Sequence, residues 1–229
     1  MILLRKAADR GHTQTAWLDS WHSFSFGDYQ DANQMGFGAL RVINQDIVQA
    51  GQGFAMHSHH DMEIITYVIH GSVLHRDSTG PHELLLNRGG VQIMSAGTGV
   101  RHSEFNASRQ ETLEFLQIWI TPAQKGLPPC YEQRYFQADF SQALLIGAPT
   151  GNVLKINQDV NFYTCHLLRG MHIKHTLAVN RRAWVQVIKG SVLLNKVLLE
   201  PGDGAAISNE TNLFLQAQAD TECLLFDLA

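Results

Sequence analysis

The fold of this chain is best read from two short stretches, Met56-His-Ser-His-His60 and Arg101-His-Ser-Glu-Phe105. Their metal-capable side chains, spaced two residues apart within each stretch, are His57, His59, His102 and Glu104. Alternate side chains of an extended strand leave the same face, so each pair would project two donors to one side. If the two strands face each other, three imidazoles and one carboxylate converge. Such a set suits a first-row divalent metal that keeps open coordination positions.

Short apolar runs separated by turn residues surround these stretches. In the N-terminal half they are Leu40–Ile43, Ile64–Ile69, Val91–Met94 and Phe115–Ile120. Short strands at this density indicate an all-β barrel or sandwich rather than alternating strands and helices, and helix signals are weak. The residues Asp77–Pro81 predict a hairpin turn. For His70, His75 and His82, which lie in this hairpin region, we expect a solvated or structural role.

The segment before residue 36 contains an aromatic-rich run, Trp17–Phe26, whose last part alternates and predicts a half-buried strand. His22 lies in this run. A hydrogen-bonded histidine in an aromatic layer is the more common situation, so we assign His22 no chemistry.

The chain repeats itself. Val68-Ile-His-Gly-Ser-Val-Leu74 recurs 119 residues later as Val187-Ile-Lys-Gly-Ser-Val-Leu193, and Gly89–Ser95 recurs more loosely as Gly202–Ser208. A repeat of this kind predicts a second barrel of the same design. At these offsets the four donors would correspond to Thr176, Ala178, Leu215 and Ala217. None of the donors recurs, so their presence in the first copy is better explained by a site than by packing.

Thr121–Pro129, with three prolines and a glycine, is a plausible boundary region between the two copies. We therefore predict an N-terminal metal-binding barrel over residues 1–140 and a C-terminal barrel without metal ligands over residues 141–229.

The glycines around the donor pairs have a recognisable spacing. Gly51, His57, His59, Glu63 and Gly71 outline the first cupin motif, and Gly90, Gly99, His102 and Asn106 give most of the second. Through Gly36–Asn44, Met62–Tyr67 and Met94–Glu104 the chain further resembles the pirin family, and in particular the bacterial pirin-like quercetin 2,3-dioxygenases. The resemblance is dense in the N-terminal half and looser in the C-terminal half.

This resemblance implies two tandem cupin barrels, each a double-stranded β-helix or jelly roll. It also implies the metal ligands His57, His59, His102 and Glu104. Many other cupins use the glutamate at the place of Glu63, whereas pirins use the one two residues after the third histidine. We therefore choose Glu104, and leave Glu63 as either a neighbour of the ligands or a core-facing polar residue. His60 faces opposite to His59 and is expected to be exposed.

The same resemblance implies an activity. One divalent transition metal ion per chain (Fe, Ni, Co, Cu, Mn or Zn) would serve a dioxygenase that cleaves the central ring of a flavonol with O2 and releases CO. Glu104 would also act as the general base for the flavonol hydroxyl. Phe54, Met56 and Phe105 are candidates for lining the pocket.

Two alternatives remain. One is a non-enzymatic, metal- or redox-responsive pirin regulator that binds a protein partner. The other is a metal-binding cupin acting on another small molecule, as an isomerase or a hydrolase.

Composition excludes several other classes. The chain has 229 residues and a formal net charge of −4, which argues against a nucleic-acid surface driven by phosphate contacts. No apolar run approaches a signal peptide or a membrane span. The three cysteines, Cys130, Cys165 and Cys223, are far apart and are expected to be free thiols in a reducing cytoplasm. There is no phosphate-binding glycine loop and no sign of a nucleophilic cysteine or serine centre. The resemblance implies a monomer.

Overall fold

The computed structural model describes residues 1–80 and 83–229. Pro81 and His82, assigned above to a hairpin, lie outside the described residues. The regular secondary structure of the described residues consists of strands, apart from one short 3-10 helix, Ala7–Asp9. The predicted all-β class with few short helices is therefore confirmed. Within the described part of the chain, no helix is long and apolar enough to cross a membrane.

The strands of the N-terminal half are β1 (Ile2–Arg5), β2 (Gly11–Gln14), β3 (Leu18–His22), β4 (Leu40–Val48), β5 (Gly53–His59), β6 (Glu63–His70), β7 (Ser72–Asp77), β8 (Leu84–Asn87), β9 (Gly90–Ser95), β10 (Val100–Asn106), β11 (Leu113–Ile120) and β12 (Cys130–Tyr135). Those of the C-terminal half are β13 (Leu144–Ala148), β14 (Leu154–Lys155), β15 (Val160–Leu167), β16 (His172–Thr176), β17 (Arg182–Lys189), β18 (Val192–Leu194), β19 (Val197–Leu199), β20 (Gly204–Ile207), β21 (Asn212–Ala217) and β22 (Thr221–Leu228).

The first barrel consists of Gly11–Phe136 together with Leu154–Gln158. Its larger sheet has the strand order β12-β9-β6-β11-β4-β3-β2, and its smaller sheet has the order β5-β10-β7-β8. All the described pairings in these sheets are antiparallel. Apolar side chains such as Val68, Val73 and Phe115 form one of its buried clusters. The central strand β11 is buried along most of its length, which holds the middle of the larger sheet in place.

The second barrel consists of Met1–Arg10, Gln137–Val153 and Asp159–Ala229. Its larger sheet runs β1-β20-β17-β22-β15-β13, and its smaller sheet runs β16-β21-β18-β19. In β21, Leu213, Leu215 and Ala217 are buried while Phe214 and Gln216 are exposed. This alternation is what a strand with one face on an apolar core requires.

These units differ from a simple linear division in two short segments. Ile2–Arg5 belongs to the second barrel because it pairs antiparallel with β20. Leu154–Gln158 belongs to the first, where the side chain of Asn157 donates to Glu63. The division into residues 1–140 and 141–229 stays a prediction about linear domains.

The two barrels repeat one strand order, as the sequence repeat predicts. The order β12-β9-β6-β11-β4-β3 corresponds to β1-β20-β17-β22-β15-β13, and β5-β10-β7-β8 corresponds to β16-β21-β18-β19. Each barrel is thus a large and a small antiparallel sheet built on the same plan.

Strand pairing fixes which residues occupy matching positions. Val73 lies opposite Asn106 in the first barrel, and its counterpart Val192 lies opposite Ala217 in the second. Asn106 of β10 therefore matches Ala217 of β21. Two residues earlier on each strand, Glu104 matches Leu215, and four residues earlier, His102 matches Leu213. The residues predicted from the sequence offset, Leu215 and Ala217, are wrong by two positions. The chain from Ala205 to Leu213 is two residues shorter than the matching chain from Gln92 to His102.

The same correction applies to β5. His57 lies opposite His102, and His175 lies opposite Leu213. His175, not Thr176, therefore occupies the position of His57, and one imidazole does recur in the second barrel. The next inward position, that of His59, falls to Leu177 rather than Ala178.

Candidate metal centre

The two donor pairs lie on neighbouring strands of the smaller sheet of the first barrel. His57 and His59 are on β5, and His102 and Glu104 are on β10, with the two strands paired antiparallel. The register shifts between His102 and Glu104, which marks a bulge in this pair of strands. Bulges change the direction of side chains and are frequent beside functional sites. The prediction from the i, i+2 spacing is thus met, because the two side chains of each pair leave the same face of their strand.

The three histidines converge. The ring centroids of His57 and His59 are 4.7 Å apart, those of His57 and His102 are 4.4 Å apart, and those of His59 and His102 are 4.9 Å apart. One nitrogen from each ring lies within 4.8 Å of the others. A second group within the same limit contains His75, His102 and Glu104. The structure therefore gives two overlapping sets of potential ligands that share His102.

Several nitrogens of these rings have no protein partner. His59 Nε2 and both ring nitrogens of His102 are buried and accept or donate no hydrogen bond among the described residues. Buried polar atoms in proteins are nearly always paired, so these nitrogens point to a ligand. His57 is different, because its Nδ1 lies 2.7 Å from the carbonyl oxygen of Ala55. Donation from Nδ1–H leaves Nε2 of His57 as the free lone pair.

Burial also sets the protonation of these rings. It lowers the pKa of His59 to about 4, helped by the neighbouring His57. Burial likewise lowers the pKa of His102 to about 4, although Glu104 acts in the opposite direction. Both imidazoles are therefore neutral at pH 7, which is the form that binds metals.

Glu104 is held by three donors. Thr66 Oγ1 and Gln92 Nε2 each donate to Oε1 at 2.7 Å, and Gln117 Nε2 donates to Oε2 at 2.6 Å. Burial would raise the pKa of Glu104, but the proximity of His75 and His102 and these hydrogen bonds outweigh it. The pKa falls to about 2, so Glu104 is a carboxylate at neutral pH.

His75, for which the sequence analysis expects a solvated or structural role, is a buried structural residue, and its position beside Glu104 was not predicted. It is fully buried, its Nε2 lies 2.9 Å from Asp77 Oδ2, and its Nδ1 lies 4.0 Å from Glu104 Oε1, too far for a hydrogen bond. Burial lowers the pKa of His75, but the carboxylates of Glu104 and Asp77 outweigh it and raise the pKa above its usual value. On β7 the buried residues are Val73, His75 and Asp77, and this alternation in the sequence could have placed the ring inside.

A cleft with an internal volume of ≈ 200 Å³, partly open to solvent, adjoins the histidines. Clefts that combine apolar walls with a few polar groups are the usual form of small-molecule sites. Phe54 lines it, as proposed from the sequence, whereas Met56 is 40% exposed and neither Met56 nor Phe105 is part of the described lining. The full lining is Thr13, Leu18, Ser20, His22, Phe26, Gly27, Asp28, Asn44, Asp46, Phe54, His57, His59, Ile64, His102, Glu104, Gln117 and Trp119.

The remaining candidates lie elsewhere or have other partners. Glu63 is fully buried and accepts hydrogen bonds from Ser95 Oγ at 2.7 Å and from the backbone and side chain of Asn157. It is thus a core-facing polar residue. His60 is exposed, as expected. His22 is buried, with Nδ1 2.8 Å from Asn44 Oδ1, so the expected hydrogen-bonded histidine is found, although it also lines the cleft.

Comparison with known proteins adds to this geometry. Residues 4–120 match the family described as Pirin, and residues 145–228 match the family described as quercetinase C-terminal cupin domain. The chain is 51% identical over 230 residues to a protein named quercetin 2,3-dioxygenase from Escherichia coli (strain K12), covering 100% of this chain and 99% of that protein. It is 36% identical over 231 residues to a pirin-like protein of Caulobacter vibrioides, covering 98% and 99%.

Solved structures agree. The bacterial pirin YhhW from Escherichia coli in complex with nickel(II) matches with a TM-score of 0.95 at 49% identity, covering 100% of this chain and 99% of that one. With the repeated strand order and the two family matches, the fold of this chain is two cupin barrels in tandem.

Proposed function

This chain belongs to the pirin family, and from that premise we propose that it is a metal-dependent oxidoreductase of the quercetin 2,3-dioxygenase type. The observation that carries the proposal is the convergence of His57, His59 and His102 beside an open cleft, with buried unpaired nitrogens on His59 and His102. The name of the Escherichia coli relative supplies the reaction class.

One divalent transition metal ion would be held by His57, His59, His102 and Glu104. The donor set fits such an ion, because His59 and His102 are neutral and carry buried ring nitrogens without a hydrogen-bond partner among the described residues. When bound, the ion supplies Lewis acidity at a substrate hydroxyl and open positions for substrate and dioxygen. Imidazole-rich sites accept iron, nickel, cobalt, copper, manganese and zinc. The nickel(II) complex of YhhW supports nickel as one of these.

Hydrogen bonding distinguishes the two oxygens of Glu104. A carboxylate oxygen has two lone-pair directions. Oε1 accepts from both Thr66 and Gln92, whereas Oε2 accepts from Gln117 alone. Oε2 therefore keeps the lone pair that can bind the ion or take a proton from the substrate hydroxyl. We assign Glu104 both roles, as ligand and as general base.

The cleft suits a flat aromatic substrate. Apolar walls from Leu18, Phe26, Phe54 and Ile64 would cover the faces of the rings. Trp119 is edge-on to His59 at 4.9 Å, and its indole nitrogen is buried without a hydrogen-bond acceptor among the described residues. A flavonol would bind through its 3-hydroxyl at the histidines. It would then react with one O2 to give one CO and the ring-opened depside, which balances all atoms.

The test is reconstitution of the metal-free protein, without oxygen, with each of the candidate metals. Quercetin decay and CO release are then measured in air for the wild type and for His59→Ala. We expect metal-dependent CO, in a one-to-one ratio with quercetin consumed, that disappears in the variant. Tight metal binding by the wild type without CO from any metal would overturn the enzyme assignment.

Glu104→Gln separates the two roles of this carboxylate. The amide retains the shape and one oxygen, so we expect much of the metal binding to remain. Removing the base should lower turnover by roughly 100-fold or more, the usual range for general base catalysis. Unchanged turnover in Glu104→Gln would show that the proton goes elsewhere.

The alternative of a non-enzymatic regulator is not favoured, because the full-length relatives from two Escherichia coli strains carry the name of an enzyme. A protein partner, a monomeric state and a cytoplasmic location stay predictions.

A further inference from the structure

A second group of polar side chains lines the cleft, away from the proposed metal ligands. It lies on β2, β3 and β4, the sequence analysis gave its residues no chemistry, and we call it the β3–β4 cluster. Its members are Thr13, Ser20, His22, Asn44 and Asp46. Ser20 and Asp46 are directly opposite each other across the two strands, as are His22 and Asn44.

The cluster is tied together by short hydrogen bonds. His22 Nδ1 lies 2.8 Å from Asn44 Oδ1, and His22 Nε2 lies 2.9 Å from Thr13 Oγ1. Ser20 Oγ lies 3.4 Å from His22 Nδ1 and donates to Asp46 Oδ1. Ser20 thus holds Asp46 directly, and His22, which Thr13 and Asn44 hold in turn, lies beside Ser20. Holding a polar group in place through its neighbours is what a preorganised binding site requires.

Asp46 is poorly compensated by the protein itself. Its side chain is 3% exposed, and in the described part of the chain Ser20 is its one hydrogen-bond donor and no cation pairs with it. A buried carboxyl normally has several donors or an ion pair. Burial, reinforced by the charge of Glu104, raises the pKa of Asp46 to about 7. The group is therefore a costly one for a fold to retain without a use.

The second barrel shows that the fold does not need this carboxyl. In the first barrel Phe115 pairs with both Asp46 and Val68. In the second barrel Cys223 pairs in the same way with Cys165 and with Val187, the counterpart of Val68. Cys165 stands where Asp46 does, and it packs in the apolar core. A small, uncharged side chain is thus sufficient for this position of the barrel.

We propose that Asp46 is a second polar anchor of the cleft, forming a hydrogen bond with a hydroxyl group of the substrate other than the one bound at the histidines. This inference rests on the proposed function and narrows its substrate class. The preferred substrate is a flat aromatic that carries at least two hydroxyls, one for the proposed metal centre and one for Asp46. A flavonol without hydroxyls on its outer rings would bind at the proposed metal centre only and would form no hydrogen bond with Asp46.

The experiment is a binding measurement without oxygen, by titration calorimetry, on the metal-free and the metal-loaded full chain. Two ligands are compared, quercetin and 3-hydroxyflavone, which keeps the 3-hydroxyl of the central ring but lacks the hydroxyls of the two outer rings. The variants are Asp46→Leu, which cannot form the hydrogen bond, and Asp46→Asn, which retains shape and part of the hydrogen-bonding capacity. Cys165→Ser is the matched control in the second barrel.

We expect Asp46→Leu to raise the Kd of quercetin about tenfold, the fold-change of one hydrogen bond, and to leave that of 3-hydroxyflavone within about twofold. Asp46→Asn should fall between Asp46→Leu and the wild type, and Cys165→Ser should change neither Kd. Equal losses for both ligands in Asp46→Leu would overturn the proposal, because they would show a general change of the cleft. Unchanged binding of both would overturn it as well.

The outcome is separable from that of the proposed function. CO release by the wild type, with no ligand-dependent effect of Asp46→Leu, overturns the anchor and leaves the enzyme assignment standing. Ligand-dependent effects of Asp46→Leu without CO release support the anchor and overturn the dioxygenase.

Discussion

The two barrels share one strand order, so their interior positions can be matched through strand pairing. At seven of these positions the first barrel has a polar side chain where the second has an apolar side chain or a thiol. The polar residues are Asp46, Thr66, His75, Gln92, His102, Glu104 and Gln117. The residues at the matching positions are Cys165, Val185, Leu194, Ala205, Leu213, Leu215 and Leu225, all members of one apolar core. The second barrel therefore shows what this fold uses when packing alone has to be satisfied.

The polar interior is the less favourable one for stability. Buried polar groups stabilise little even when paired and are costly when unpaired, whereas apolar side chains gain by burial. In the first barrel Thr66, Gln92 and Gln117 serve to hold Glu104. Such an arrangement is expected where a ligand, and not the fold, needs the polar groups.

His175 makes the comparison sharper, because it is an imidazole at the position of His57. Its Nε2 lies 3.1 Å from Asp227 Oδ2, and its ring is edge-on to Tyr163 at 4.9 Å. Asp227 also accepts from Arg181. An imidazole at the right position thus forms a structural pair when its neighbours are leucines instead of histidines.

The largest effect is expected on metal affinity, when His57 and His175 are each replaced by leucine. His57→Leu removes one proposed ligand, so metal affinity should fall by at least about 100-fold, above the range for loss of a mere supporting hydrogen bond. His175→Leu should leave metal affinity unchanged. Competition with a chelator of known affinity measures both.

The stability of the two variants provides the control. His175→Leu deprives Asp227 of one partner but leaves Arg181, so we expect a loss of about 1–2 kcal/mol in the free energy of unfolding. Equal losses of metal affinity in His57→Leu and His175→Leu would contradict the different roles of the two barrels.

A smaller effect is expected at Thr66, whose counterpart is Val185. Thr66→Val keeps the shape but removes a hydrogen bond to Glu104 Oε1. Metal affinity should fall about tenfold, the lower end of the range for partners that orient a ligand. Val185→Thr is the matched control, since it adds a hydroxyl to an apolar core and should lower the melting temperature without touching metal affinity. A Thr66→Val protein that binds metal like the wild type would show that Glu104 is held well enough by its other donors.

The sequence predicted those features of the two barrels that depend on residues close together in the chain. The spacing of His57 with His59, and of His102 with Glu104, is enough to place each pair on one face of a strand. The repeated hairpin, Val68–Leu74, likewise predicted a second barrel. Both are properties of residues close in the chain.

The rest depends on strand pairing at long range. Thr66, Gln92 and Gln117 are ordinary strand residues, and their convergence on Glu104 follows from the neighbours of β6, β9 and β11 in the sheets. In the same way, the pairing of Ile2–Arg5 with β20 joins residues about 200 positions apart, and no local signal indicates it. The two-residue shift at Leu213 arises from a shorter connection that sequence offsets alone cannot position.

The last comparison concerns Asp46, where the second barrel has Cys165, and its effect is on stability rather than on metal affinity. Its pKa is about 7 in the folded chain because of burial and the charge of Glu104, against an ordinary value of 3.8. Between pH 4 and 7 the folded chain holds a proton that the unfolded chain has released, so this group makes stability fall as pH rises through that window. Asp46→Asn cannot ionise and should remove this slope. We expect the metal-free variant to melt with the wild type at pH 4 and to be more stable at pH 8 by about 2 kcal/mol, or roughly 4 °C or more in Tm. A difference in Tm between variant and wild type that is the same at pH 4 and pH 8 would mean that Asp46 already ionises in the folded chain as it does in water, and that the first barrel carries this polar position at no cost relative to the second.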